Sequence, residues 1–215
     1  MPEEVGVDRV DPLATHLVPG EGLVVLLRHG RTAWNVEGRF LGRTDVPLDA
    51  EGRRQLRGLA QLSGRFDAVY TSPLVRARET AGALAPPEAV VDPELAEVDQ
   101  GELEGWVATE ALPRWPDFFE AFARDPDAVR IPGGESLPEV RARMRGALRR
   151  IGRRGAVVAV VGHQLAIASL VGELSGDPPA AWRRWRLEHA EGFVLRTRGD
   201  GWVLAGRLAP CEIPP

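Results

Sequence analysis

Leu23-Val24-Val25-Leu26-Leu27-Arg28-His29-Gly30 is the stretch on which the reading of this 215-residue chain turns. Five consecutive apolar residues, far too few to span a membrane, end abruptly at a charged motif. A short continuous apolar run suits a strand buried on both faces, as in a parallel sheet. Ala156 to Val161 has the same character and leads into Gly162-His163-Gln164. In open α/β sheets, sites lie beyond the carboxyl ends of strands. Two strong strands that each end in a histidine therefore aim His29 and His163 at one crevice.

The segments between these strands alternate in type. Asp49 is a good N-cap for a helix to about Leu62, with Leu56, Leu59 and Leu62 at helical spacing. Asp67 to Tyr70 reads as a strand. Ser72 as cap and Pro73 as first helical residue then open a helix to about Leu84. Val90-Val91 is a brief strand. Ser136 and Glu139 make a capping box for a helix to about Ile151, and another helix runs from Gln164 to Leu174. Residues 192–196 and 202–205 form a hairpin around Gly199-Asp200-Gly201. The alternation implies an α/β three-layer sandwich with a mostly parallel central sheet. Residues 97–135 interleave glycines and prolines with Trp106, Trp115, Phe118, Phe119 and Phe122, and read as a small inserted lid with one short helix over 117–124. Residues 1–21 hold three prolines and several acids and read as a loose N-terminal extension, with 22–215 as a single domain.

Composition narrows the chemistry. With 44% apolar residues the chain has enough for a core. A net charge of −4 argues against a dedicated nucleic-acid binder. The single cysteine, Cys211, rules out an internal disulfide or a cysteine zinc cluster. The first residues lack the basic and apolar pattern of a signal peptide, so a cytoplasmic location is expected. All 27 basic residues are arginine, and Asn35 is the one asparagine. Without lysine there is neither a Walker-type phosphate loop nor a Schiff base. The chemistry has to run on Arg, His and carboxylates.

A neutral imidazole is a good nucleophile toward phosphorus, and water can later cleave the phosphohistidine. Arg28 beside His29 keeps the ring neutral, and Gly30 lets the backbone approach a substrate closely. Phosphoryl transfer asks for positioning and for positive charge on the nonbridging oxygens. Arg28 and Arg76 supply that charge, His163 a further contact, and Asn35 a neutral donor. Glu97, desolvated under the aromatic lid, is the candidate to protonate the leaving oxygen and then activate water. Each residue alone has a plainer role: a core histidine, a surface acid, a charged helix face. Their joint placement favours the chemical reading.

The run Arg28-His29-Gly30-Arg31-Thr32-Ala33-Trp34-Asn35 resembles the signature of the histidine phosphatase superfamily, which includes phosphoglycerate mutases. The similarity continues through Gly38 to Leu48, Thr71 to Ala81, Leu95 to Gly105, Pro132 to Ser136 and Val161 to His163. It implies a nucleophile at His29, a phosphate pocket of Arg28, Arg76 and His163, and an acid at Glu97. Asn35 and Gly42 match phosphate-binding positions. It also implies phosphatase work without a metal or organic cofactor. Gln164 departs from the pattern, which has glycine there, and places a long amide where the phosphate would meet backbone, bearing on substrate choice. A cofactor-dependent phosphoglycerate mutase is the alternative. Mutases carry a longer insert with Arg-His-Tyr after the acid, whereas Val98-Asp99-Gln100 follows Glu97 here. A non-catalytic phospho-ligand-binding module predicts a missing nucleophile or acid, and both are present. Trp182-Arg183-Arg184-Trp185-Arg186 is basic and aromatic enough to stack on single-stranded nucleic acid. On an acidic chain it reads better as an amphipathic turn packing its tryptophans, or as a subunit contact. The expected partner is a small-molecule phosphate ester, not nucleic acid or membrane, and a homodimer stays open.

Overall fold

The computed structural model describes residues 21–84, 89–152, 155–199 and 201–208. The extension expected over residues 1–21, apart from Glu21, lies outside them, as do Asp200 and Cys211. The described strands are β1 (Leu23–Arg28), β2 (Ala68–Thr71), β3 (Val90–Val91), β4 (Val157–Gly162), β5 (Gly192–Arg198) and β6 (Gly201–Leu208). They form one sheet in the order β3-β2-β4-β1-β5-β6. β3, β2, β4 and β1 run parallel, while β5 and β6 add an antiparallel edge. The two apolar runs are thus neighbours, with Leu26 opposite Val160 and Arg28 opposite Gly162.

Alternation along these strands makes the layers. Val24, Leu26, Val158 and Val160 share a core with α6 (Leu137–Ile151) and α7 (Gln164–Leu174). Val25, Leu27, Ala159 and Val161 pack on the other face with Leu59 of α2 (Ala50–Ala60) and with Ala77 and Ala81 of α3 (Val75–Gly82). Both faces of β1 and β4 are covered, which is why their sequences are continuously apolar.

The helix starts follow local chemistry. Asp49 accepts the amide of Gly52 at 2.6 Å and opens α2. Ser136 and Glu139 close the capping box of α6. α3 begins at Val75, later than expected. Ser72 Oγ accepts the Leu74 amide at 3.3 Å and also meets His163, while Asp45, from a distant loop, accepts the Val75 amide at 2.7 Å. A short α1 (Ala33–Glu37), capped by Thr32, follows the first histidine motif.

The segment over 97–135 holds two helices, α4 (Ala108–Arg114) and α5 (Pro116–Arg124), where one was expected. Pro116 drives Trp115 out of helical geometry (φ −128°, ψ 56°) and separates them. Phe118, Phe119 and Phe122 of α5 pack toward the α6–α7 core, with Phe122 edge-on to Trp182. The basic aromatic run folds as a 3-10 turn, Pro179–Trp185. Trp185 is buried against Phe193, while Arg183 and Arg184 are exposed. Both hairpin strands are longer than expected, with an irregularity at Val194/Leu195. No helix among the described residues is long and apolar enough to cross a membrane.

Gly52 fixes how α2 meets the loop after β1, since a Cβ there would lie 2.1 Å from the Arg31 carbonyl oxygen. Helix propensity alone favours alanine over glycine by about 1 kcal/mol. The contact reverses the sign, and Gly52→Ala is expected to lose about 1–3 kcal/mol in urea unfolding. A variant as stable as the parent would contradict this packing.

Candidate active site

In-register pairing brings the two histidines together. His29 follows β1 and His163 follows β4, their ring centroids are 5.1 Å apart, and both are buried. The His29 amide donates to the Gly162 carbonyl at 3.1 Å, extending the ladder one step past the strand. His29 Nδ1 lies 2.7 Å from the Gly30 carbonyl. A carbonyl only accepts, so Nδ1 carries the proton and Nε2 keeps the lone pair. Gly30 sits so close to Gly52 that a Cβ would meet its carbonyl oxygen at 2.9 Å.

His163 Nε2 is 2.7 Å from Ser72 Oγ. The Ser72 hydroxyl has no other acceptor among the described residues, so it donates to Nε2 and leaves the ring proton on Nδ1. That Nδ1 is buried without a partner among the described residues. Burial pushes both imidazoles well below the ordinary 6.5, and the nearby Arg76 guanidinium pushes in the same direction.

Two guanidiniums flank the rings. Arg76, wholly buried, donates to the carbonyls of Gly42 (2.7 Å) and Thr44 (2.9 Å). Arg28 donates to the Leu187 carbonyl at 2.6 Å and lies 2.8 Å from His189 Nε2. The Nε of each arginine is buried without a partner among the described residues. Burial pulls each guanidinium down to about 10, opposed most by Glu97, which leaves both charged at neutral pH.

Glu97 is buried and lies against the first turn of α7. Its carboxylate accepts the amides of Val98 and Ala166 at 2.9 Å and of Leu165 at 3.1 Å. A helix N-terminus favours an acidic group. Gly42 has a steric reason to be glycine, because a Cβ would come within 2.7 Å of Val98 O and Gln100 N. Asn35 Oδ1 accepts the amide and hydroxyl of Thr32, which caps α1. Gln164, the expected substrate contact, also bonds within the protein. Oε1 accepts the Leu187 amide at 2.8 Å and reaches Arg28 at 3.5 Å, and Nε2 donates to the Trp185 carbonyl.

Several supporting residues escaped sequence reasoning. Glu104 accepts the amides of Arg43 (2.6 Å) and Thr44 (2.7 Å), which shapes the loop whose carbonyls hold Arg76. Arg143 donates to the carbonyls of Glu94, Ala96 and Glu97, with Glu135 behind it. Both acids lie inside motif runs, which was the available signal. His189 had none. Among the described residues no group of three or more His, Cys, Asp or Glu side chains is arranged to hold a metal ion.

The buried neutral histidines make stability depend on pH. The unfolded chain takes up protons near 6.5, while folded His29 and His163 resist them. Below that value the unfolded state binds more protons, so stability falls with falling pH. Unfolding free energy is expected to drop by about 1–3 kcal/mol between pH 7.5 and 5.5, with proton uptake on unfolding. A flat profile across that window would contradict the neutral pair.

Comparison with known proteins agrees with this geometry. Residues 24–207 match the histidine phosphatase superfamily, branch 1. The chain is 33% identical over 190 residues to a probable phosphoglycerate mutase of Yersinia enterocolitica, covering 85% of this chain and 88% of that one. It is 31% identical over 191 residues to a metal-independent phosphoserine phosphatase of Arabidopsis thaliana, covering 84% and 79%. The structure resembles a mycobacterial glucosyl-3-phosphoglycerate phosphatase with a TM-score of 0.74 at 27% identity, covering 86% of this chain and 98% of the other. With the two strand-end histidines, the arginine pair beside them and a family match over most of its length, the chain belongs to branch 1 of the histidine phosphatase superfamily.

Proposed function

We propose that this protein is a metal-independent phosphatase that hydrolyses a small phosphate monoester through a phosphohistidine on His29. One observation carries the reading: Arg28 Nε, Arg76 Nε and His163 Nδ1 are buried polar atoms without partners among the described residues, on the ring that neighbours His29 and on the two arginines whose charges act on it. Buried donors are costly to leave unpaired, by about 1–3 kcal/mol each. A phosphoryl group with three nonbridging oxygens is an acceptor suited to such a set.

The proposed cycle has two chemical steps. His29 Nε2 attacks phosphorus while the ester P–O bond breaks, and the leaving oxygen takes a proton from Glu97, which enters this step as the neutral acid and leaves it as the carboxylate. Water then attacks the phosphohistidine with Glu97 accepting its proton, the N–P bond breaks, and inorganic phosphate leaves. Arg28 and Arg76 balance the charge on the equatorial oxygens, and His163 donates through Nδ1. Asn35 keeps its amide nitrogen for the same phosphate, and Gly42 holds Arg76 through its carbonyl. Since Gln164 is committed to Leu187 and Arg28, its part is to orient Arg28.

Relatives named as phosphatases of phosphoserine and of glucosyl-3-phosphoglycerate support hydrolysis. The Yersinia relative's name keeps a mutase cycle as the second reading, because both begin with the same phosphohistidine. The purified protein is expected to release phosphate from p-nitrophenyl phosphate without added metal, and His29→Ala to abolish it. Normal turnover in that variant would sink the mechanism. Glu97→Gln is expected to slow an alkyl phosphate at least about tenfold more than p-nitrophenyl phosphate, since the latter needs no acid. Equal losses would remove Glu97 from that role. Isomerisation of phosphoglycerate outrunning release, with dependence on 2,3-bisphosphoglycerate, would favour the mutase. A panel of phosphate esters ranked by kcat/KM identifies the substrate.

A further inference from the structure

Arg28 is gripped by one short stretch, Trp185 to Glu191. Its side chain donates to the Leu187 carbonyl and meets His189 Nε2. Its backbone amide donates to the Glu191 carbonyl at 2.8 Å, and its carbonyl accepts the Ala190 amide at 3.1 Å. Ala190 is buried at φ 64°, the one non-glycine in the left-handed region among the described residues. A methyl-bearing residue is strained there, and such strain persists where the surroundings demand it. Gln164 ties the same stretch to the start of α7.

A guanidinium can only donate, so His189 must accept at Nε2. Its ring is therefore neutral, with the proton on Nδ1. Burial, Arg28 and Arg31, opposed by Asp49, push His189 down to about 3 and keep it neutral at working pH. The ring centroid lies 6.2 Å from that of His29, near the nucleophile but bonded to the arginine.

We propose that His189 is a positioning residue for phosphoryl transfer: it holds the Arg28 guanidinium from one side so that Arg28 Nε stays free for the substrate phosphate. This rests on the phosphatase reading above. A space-filling residue would be replaceable by any ring, and a direct phosphate ligand would act without Arg28. The structure separates both from a residue that works through Arg28.

The test compares the parent, His189→Phe, His189→Leu, His189→Gln, Arg28→Ala and the double variant Arg28→Ala/His189→Phe. Two readouts are taken on each: kcat/KM for p-nitrophenyl phosphate and the affinity for vanadate by titration calorimetry. Phe keeps a ring without an acceptor, and Leu serves if Phe does not fit. Gln restores an acceptor near Nε2. His189→Phe or His189→Leu is expected to lose about tenfold or more in both readouts, as for a lost charge-assisted hydrogen bond. Gln recovers most of it. In the Arg28→Ala background the second substitution costs nothing further, since coupled residues are not additive. Equal losses in the two backgrounds, or a Gln variant no better than Phe, overturn the proposal. An inactive parent would defeat the phosphatase reading alone, because the vanadate affinities still decide whether His189 acts through Arg28.

Discussion

In-register pairing of β1 with β4 is the constraint from which the rest of the site follows. Arg28 lies opposite Gly162, so the next residue on each strand is a histidine, and the two leave the sheet side by side. α7 begins at Gln164, directly after the second histidine, and its first amides meet Glu97. A slip of one residue would carry Val24 and Leu26 to the wrong layer and displace one imidazole by about 3.3 Å along the strand. The apolar core and the candidate chemistry therefore demand the same register.

Electrostatics depends on that arrangement. Arg76 is removed from water without a carboxylate within ion-pair distance among the described residues, and backbone carbonyls of Gly42 and Thr44 hold it. The loop carrying those carbonyls is itself held by Glu104. Burying a cation this way is unfavourable in isolation. Its consequence is visible in the rings, because the same charge suppresses protonation of His29 and His163. Burial of the rings and the desolvated guanidinium beside them together keep both imidazoles neutral next to a positive charge.

Local signals were legible where neighbours in sequence make the contact. The Asp49 cap, the Ser136–Glu139 box and the helix from Gln164 to Leu174 involve residues within one turn, and each is present. The failures share the opposite property. Ser72 accepts the Leu74 amide as a cap would, but its hydroxyl also reaches His163, 91 residues away, and Asp45 takes the next amide from a distant loop. Pro113 and Pro116 concealed α4, because prolines near helix ends read as breaks in sequence and here merely divide two helices. For Gln164, the bonds to backbone groups 21 to 23 residues on had no signal in the sequence.

Residue order alone specified the α/β alternation, the two strand-end histidines and the family, because these rest on periodicity and on motif spacing within single segments. Lysine's absence likewise left arginine, histidine and carboxylates as the available chemistry. Folding alone decided how each group is held and charged. The carbonyl clamp on Arg76, the Leu165 and Ala166 amides at Glu97 and the grip of His189 on Arg28 all join residues distant in sequence. Desolvation and hydrogen-bond direction belong to three-dimensional surroundings, so no local pattern encodes them.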